Sequence, residues 1–328
     1  MSADDRWWSG QRIVNMRFWA HDGHDFPLPD GHTFPLAKYR MLRERLLADG
    51  VATPAQVRAS PPASWQLLGT VHAAPYLERV RTGGLSDREV RVLGLPWSAA
   101  LVERGRRSTQ GTVEAARDAL SGGYGMNLGG GTHHAGRAAG RGYCLFNDLA
   151  VAVSALRLEG FGGRVAVIDC DVHQGDGTAE LFAGDDDVFT LSIHGGANYP
   201  FRRAVSDLDV DLRDGTTDDE YLATLARALD GVGGADLVFF LAAADPWEGD
   251  RLGRLALTKP GLAARDALVL DRAAAWGAAT CVVLAGGYAP DVADTVDINA
   301  ATARAVSARA GRTGLPAPRP ATSSSCRP

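Results

Sequence analysis

Four short apolar runs set the fold class of this chain: RVAVID (164–169), VFTLSI (188–193), LVFFLA (237–242) and CVVLAG (281–286). Each reads as a buried strand, and helical stretches separate most of them. Strand–helix alternation of this kind implies a parallel sheet covered by helices on both faces. From Leu36 the pattern LAKYRMLRERLLADG places apolar residues at helical spacing and stops at Gly50. Residues around 97–120 and 145–158 read as helices as well. The first 30 or so residues show no clear period and are expected to be ordered loop, with Pro27 and Pro29 favouring extended neighbours. No internal repeat is visible. The expectation is one α/β domain over residues 1–312, with a central, mostly parallel sheet. Beyond Arg312 the composition changes to TGLPAPRPATSSSCRP. Such a segment buries too little apolar surface to offset its ordering entropy, so 313–328 are expected to form a flexible tail.

Bulk properties exclude several classes of function. The chain has 328 residues, 45% of them hydrophobic, enough for a full core without disulfides. Its net charge of −5 argues against a whole-protein attraction to nucleic acid or to an anionic membrane. Cys144, Cys170, Cys281 and Cys326 are scattered, with no framework spacing. Cys170 and Cys281 sit in or beside apolar runs and read as small core residues. The N-terminus MSADDRWWSG lacks the features of a signal peptide, and no run reaches the roughly 18 apolar residues of a membrane span. A soluble cytoplasmic protein is expected.

In parallel sheets, ligands bind beyond the carboxyl ends of the strands. Three of those ends carry unusual residues. In VAVIDCDVHQGDGT, Asp169, Asp171 and His173 are two apart and would share a face if the strand continues. A carboxylate and an imidazole there suit Zn²⁺, and also Fe²⁺. Asp245, after LVFFLAAA, supplies a candidate third ligand, and three ligands with an open position mark a catalytic metal. In VVLAGGYAP the glycines 286 and 287 permit a tight turn that leaves Tyr288 at a strand end, where a phenol can donate to a developing oxyanion. Separately, NLGGGTHHAG carries His133 and His134 in tandem in a glycine-rich loop, which suggests proton transfer. Asp169 and Asp176 are acids available to orient those imidazoles.

The ordered set GGGTHHA, GYCLFND, DCDVHQGDGT, the Asp245 loop and AGGYA resembles the histone deacetylase superfamily, with its arginase-like α/β fold, over about residues 11–305. FPLPDGHTFPLAKYRMLRERL and GDRLGRLALT are most similar to its compact, class IV-like bacterial members. The resemblance implies that Asp171, His173 and Asp245 bind Zn²⁺. It implies that His133 and His134 are the base and acid pair, partnered by Asp169 and Asp176, and that Tyr288 polarises the acyl carbonyl. Gly142 and Tyr143 would line the substrate channel, with Tyr199 or Phe201 on its other wall. Asp169, Asp171, His173 and Ser192 would contribute to a structural K⁺ site. The implied substrate is an acylated lysine peptide, with acetylpolyamines and other small acyl amines as alternatives.

Two segments depart from the pattern. AGRAAGR stands between the His pair and Gly142 where a more acidic stretch is expected, which puts the channel rim in question. AAAD precedes Pro246 with alanine at 243, and Trp247 is expected to narrow or reshape the pocket. A two-metal ureohydrolase would need further carboxylates, but Gly175 and Ala243 occupy the relevant spacings and cannot ligate through a side chain. A catalytically silent acyl-group binder would be expected to have lost a ligand or Tyr288, and none is missing.

Overall fold

A computed structural model describes residues 16–311 of the chain. Its strands are β1 (Phe18–Ala20), β2 (Val57–Ala59), β3 (Tyr124–Asn127), β4 (Val165–Asp169), β5 (Val188–Gly195), β6 (Leu208–Leu212), β7 (Leu237–Leu241) and β8 (Ala279–Val283). They form one eight-stranded sheet in the order β2-β1-β3-β8-β7-β4-β5-β6, and every pairing is parallel.

Alternate strand residues feed two cores. Ala166, Ile168, Val238, Phe240 and Val282 face the helices Ala37–Ala48, Asp218–Gly231, Lys259–Trp276 and Val292–Ala310. Val165, Val167, Leu237, Phe239 and Cys281 face the helices Ala99–Gly122 and Asp148–Leu158. Burial on both faces is why these strands read as continuous apolar runs. Phe239 and Phe240 are both fully buried, one in each core, each worth roughly 1.5–3 kcal/mol of apolar transfer. Helix starts follow the sequence: Ser98 caps Ala99–Gly122 through the Leu101 amide, and Asn147 caps Asp148–Leu158 through the Ala150 amide.

Four strands are not announced by apolar runs. The expected N-terminal loop contains β1, only three residues long and too short to show a period, yet with Phe18 wholly buried. β3 reads YGMN. Its Gly125 is required because a Cβ there would run into the Ala115 carbonyl of the helix packed across it. Among the described residues the short β2 pairs only with β1, and β6, LDVDL, is half-exposed and pairs only with β5. The strand expected at 281–286 lies instead at Ala279–Val283, because the Leu284 amide leaves the sheet to bond Gly129 O at 3.0 Å. The expected tail, 313–328, lies outside the described residues. No helix among the described residues is long and apolar enough to cross a membrane.

The topology determines where chemistry can sit. β3, β8, β7 and β4 are adjacent in the centre of the sheet, and their ends align: Asn127 pairs with Val283, Val283 with Leu241, Leu241 with Asp169, and Asp169 with Ser192 on β5. The loops carrying His133–His134, Tyr288, Asp245 and Asp171–His173 therefore leave the same edge side by side.

Candidate active site at the strand ends

Asp171 and His173 do not converge by strand alternation, because β4 ends at Asp169. The Asp169 carboxylate accepts the Asp171 amide at 3.0 Å, and Asp171 Oδ1 accepts the His173 amide at 3.0 Å. These side-chain bonds replace the ladder and curl the segment over the sheet edge. His173 Nδ1 lies 2.9 Å from Asp171 Oδ1 and 3.4 Å from Asp245 Oδ2, and one donor atom from each of the three residues falls within 4.8 Å of the others. Among the described residues this is the cluster with metal-ligand geometry.

The cluster fits a divalent cation on its own chemistry. Asp245 is 0% exposed; its Oδ1 accepts the Val172 amide at 3.0 Å, but its Oδ2 is buried without a hydrogen-bond partner. A buried carboxylate oxygen left unpaired is costly unless a cation takes it. Burial, then the Asp171 charge, pushes the Asp245 carboxyl up to about 7. Gly286 closes the floor: its amide donates to Asp171 Oδ2 at 2.9 Å, and a Cβ there would lie 2.7 Å from that oxygen and collide with Asp245 Oδ2.

The two histidines sit beside this cluster with their rings 4.1 Å apart. His133 Nδ1 meets Asp169 Oδ2 at 2.7 Å, and His134 Nδ1 meets Asp176 Oδ1 at 2.7 Å. Each carboxylate can accept a hydrogen bond from Nδ1–H, which keeps that proton on Nδ1 and leaves Nε2 for the reaction. The environments differ. Burial opposes a charge on His133, but Asp169 and Asp171 outweigh it and raise the imidazole to about 9. Burial, then the charge of His133, lowers His134 to about 3 against the pull of Asp176. Arg141, in the segment expected to be acidic, lies 3.1 Å from Asp176 and 2.6 Å from Glu180, and its Nε bonds His134 O. Gly175 has no room for a side chain, since a Cβ there would strike Asp169 Oδ2, so a larger ligand for a second metal does not fit at that position.

Tyr288 follows Gly287, whose φ of +144° only glycine adopts readily. Its amide donates to Asp250 Oδ2 at 2.6 Å, and burial, then Asp245 and Asp171, keeps the phenol well above its usual pKa and protonated. Sequence reasoning missed three residues that hold this neighbourhood. Lys38 is buried, with Nζ 3.4 Å from Ala285 O and 3.3 Å from Gly287 O, over the Tyr288 ring at 5.4 Å. Arg265, wholly buried beside Asp266, holds Ala243 O at 2.5 Å and Cys170 O at 3.5 Å, under the two strand ends that carry the Asp171–His173–Asp245 cluster. Asp250 is the third. The one signal for Lys38 and Arg265 was a cation on the apolar side of a helix.

A cavity of about 360 Å³ reaches from the surface to His173 and Tyr288. Gly142, Tyr143, Tyr199 and Phe201 all line it, together with Leu252 and Arg254, which the sequence did not suggest. Gly142 (φ +54°) is needed where a Cβ would lie 2.5 Å from His134 Cδ2, and the Tyr199 ring stands 5.0 Å from the His134 ring. Trp247 does not shape this pocket. It packs against the core under Lys259, because the turn after Asp245 directs it away from the opening. Ser192 lies across the ladder from Asp169, with Oγ 2.9 Å from His194 Nδ1.

His72 clamps the histidine loop. The Asn147 amide donates to its Nε2 at 3.1 Å, so Nδ1 carries the proton and donates to Gly136 O at 3.0 Å. Burial lowers this imidazole to about 4. The unfolded chain binds the proton near 6.5 and the folded protein only near 4, so stability is full above pH 6.5 and falls as pH drops to 4. The shift corresponds to about 3 kcal/mol. His72→Gln removes that contribution, and its melting temperature is expected to depend less on pH between 6.5 and 4 than that of the wild type. Equal pH slopes in thermal melts would contradict this role.

Comparison with known proteins identifies the family. A family model described as the histone deacetylase domain matches residues 32–303. An uncharacterised protein of Picosynechococcus sp. is 41% identical over 84% of this chain and 93% of its own length. The histone deacetylase-like amidohydrolase of Pseudomonas aeruginosa is 32% identical over 76% of this chain and 70% of its own. The crystal structure of a histone deacetylase homologue complexed with SAHA superposes with a TM-score of 0.76 at 22% identity, covering 90% of this chain and 84% of that one, a likeness of fold. The chain belongs to the histone deacetylase family and is an enzyme of its deacetylase and amidohydrolase class.

Proposed function

We propose that this enzyme is a zinc-dependent deacylase that hydrolyses an acyl amide, N-acetyl-lysine in the first place, with Fe²⁺ as the alternative metal. The observation that carries the reading is the unpaired, buried Asp245 Oδ2 beside two Asp-linked histidines at the base of an open channel. Asp171, His173 and Asp245 would hold the cation. When bound, it supplies the Lewis acidity that an unreactive amide carbonyl and a weakly nucleophilic water both need.

The chain's own residues supply the rest. Tyr143 and Tyr199 flank the acylated side chain and exclude water from it. His134, oriented by Asp176, takes the proton of the attacking water through Nε2. The Tyr288 hydroxyl donates to the oxyanion that forms on the acyl carbonyl. The carbon–nitrogen bond then breaks as a histidinium of the pair returns a proton to the leaving amine, giving a carboxylate and a free amine. Asp169, Asp171 and His173, with Ser192 next to them, are proposed to take part in a structural K⁺ site.

The test combines metal analysis of the purified protein with deacylation assays on acetyl-lysine peptides, longer acyl-lysines and acetylated polyamines. Zn²⁺ or Fe²⁺ at about one per chain with turnover of an acyl-lysine supports the reading. No metal after reconstitution, or metal with no turnover on any acyl amine, overturns it.

A further inference from the structure

Resting on the deacylase reading, we propose that the channel mouth selects acylated amines carrying negative charge close to the acylated nitrogen, that Arg254 does the selecting, and that acylated polyamines are turned away. Among the described residues no Asp or Glu lines the cavity, and apart from tyrosines and His173 at its base the one ionisable lining residue is Arg254. Arg254 is exposed and uses only Nη1, 3.3 Å from Asp214, itself half exposed. Ion pairs of that kind are weak and exchange readily, so a substrate carboxylate can compete for the guanidinium. At the same mouth Phe201 is 88% exposed, and Arg202 beside it is exposed and forms no ion pair among the described residues.

The carboxylates nearest the base of the site are already engaged. Asp250 Oδ2 accepts the Tyr288 amide, and its Oδ1 accepts the amides of Leu252 at 2.8 Å and Gly253 at 3.2 Å. Asp176 is shared by His134 and Arg141, and Glu180 is held by Arg141. Asp250 and Asp176 are thereby taken up and not free to receive an ammonium. An acylated diamine with a four-carbon spacer sets its cation roughly 6 Å from the acyl nitrogen, where acyl-lysine has its Cα. Acyl-lysine places only neutral backbone there. A cation brought to about 6 Å from the Arg254 guanidinium would lose about 3- to 100-fold in binding by like-charge repulsion, depending on the effective dielectric. The overall charge of −5 makes this cationic rim a local departure from the rest of the surface.

The experiment measures kcat/KM of the metal-loaded full chain on three acetyl-lysine peptides, with glutamate, alanine or lysine flanking the acetylated residue, and on N-acetylputrescine. The wild type is expected to favour the glutamate peptide over the lysine peptide by about 10-fold, with N-acetylputrescine poorest and the ratio shrinking as salt rises. Arg254→Glu is expected to invert the ratio, and Arg254→Gln to bring it near one, mainly through KM. Equal rates on the glutamate and lysine peptides, or a ratio unmoved by Arg254→Glu, would overturn this inference while leaving the deacylase reading intact. Failure on all substrates, the alanine peptide included, would overturn both.

Discussion

Tyr288→Phe is expected to keep its metal and lose about 10²- to 10³-fold in kcat, the cost of removing one oxyanion donor. The substitution deletes a single oxygen. The ring remains available to pack against Tyr143 at 5.7 Å and under Lys38, and the backbone bond from residue 288 to Asp250 is untouched. The phenol is held well above its usual pKa, so it is a donor across the working pH range. Steady-state kinetics with metal analysis on the same preparation checks this. Turnover within a few-fold of wild type would remove Tyr288 from the mechanism, and loss of metal would mean that it supports the site rather than the reaction.

Asp245→Asn is expected to abolish metal retention and turnover together. The amide can still accept the Val172 N–H now bonded to Oδ1, so the turn after β7 has no reason to collapse. What disappears is the negative charge on Oδ2, the buried oxygen without a hydrogen-bond partner. Loss of partners that merely orient a ligand costs 10- to 100-fold in metal affinity, and loss of a ligand itself should exceed that. Thermal melts with and without Zn²⁺ give a second reading. Wild type should gain stability with metal by mass action, and the variant should gain little. The metal-free variant should melt no lower than metal-free wild type, because it no longer buries a carboxylate beside Asp171. Full metal occupancy in the variant would contradict the ligand assignment.

The central strands were legible because burial on both faces leaves unbroken apolar runs at β4, β5 and β7. β1 and β3 were not, although they lie in the same sheet. β1 is too short to show a period, and β3 carries Gly125 where a helix backbone comes too close for any side chain. The site residues were legible for a different reason. Asp171, His173, Asp245, His133, His134 and Tyr288 are polar groups placed beyond apolar strands, where packing gives no reason for them.

Their means of convergence was not legible. Strand alternation was expected to align Asp171 with His173, whereas chained side-chain bonds from Asp169 and Asp171 bend the segment. Lys38, Arg265 and Asp250 were missed because each acts on backbone carbonyls or amides far away in the chain, and such partners leave no mark in local composition. Trp247 was misplaced for the same reason, since whether a bulky residue fills the channel or the core depends on the direction of one turn.

The sequence by itself determined the parallel α/β class, the candidate ligand and histidine residues, and the glycines 286 and 287 at the turn before Tyr288. Strand burial and unusual polar residues are both written locally. Only the tertiary structure decided that four neighbouring strands end in register, that one carboxylate oxygen is left without a hydrogen bond at their edge, and that Arg254, and no Asp or Glu among the described residues, lines the channel. Those facts depend on distances between segments separated by 30 to more than 100 residues, which are set by the packing of helices on both faces of the sheet.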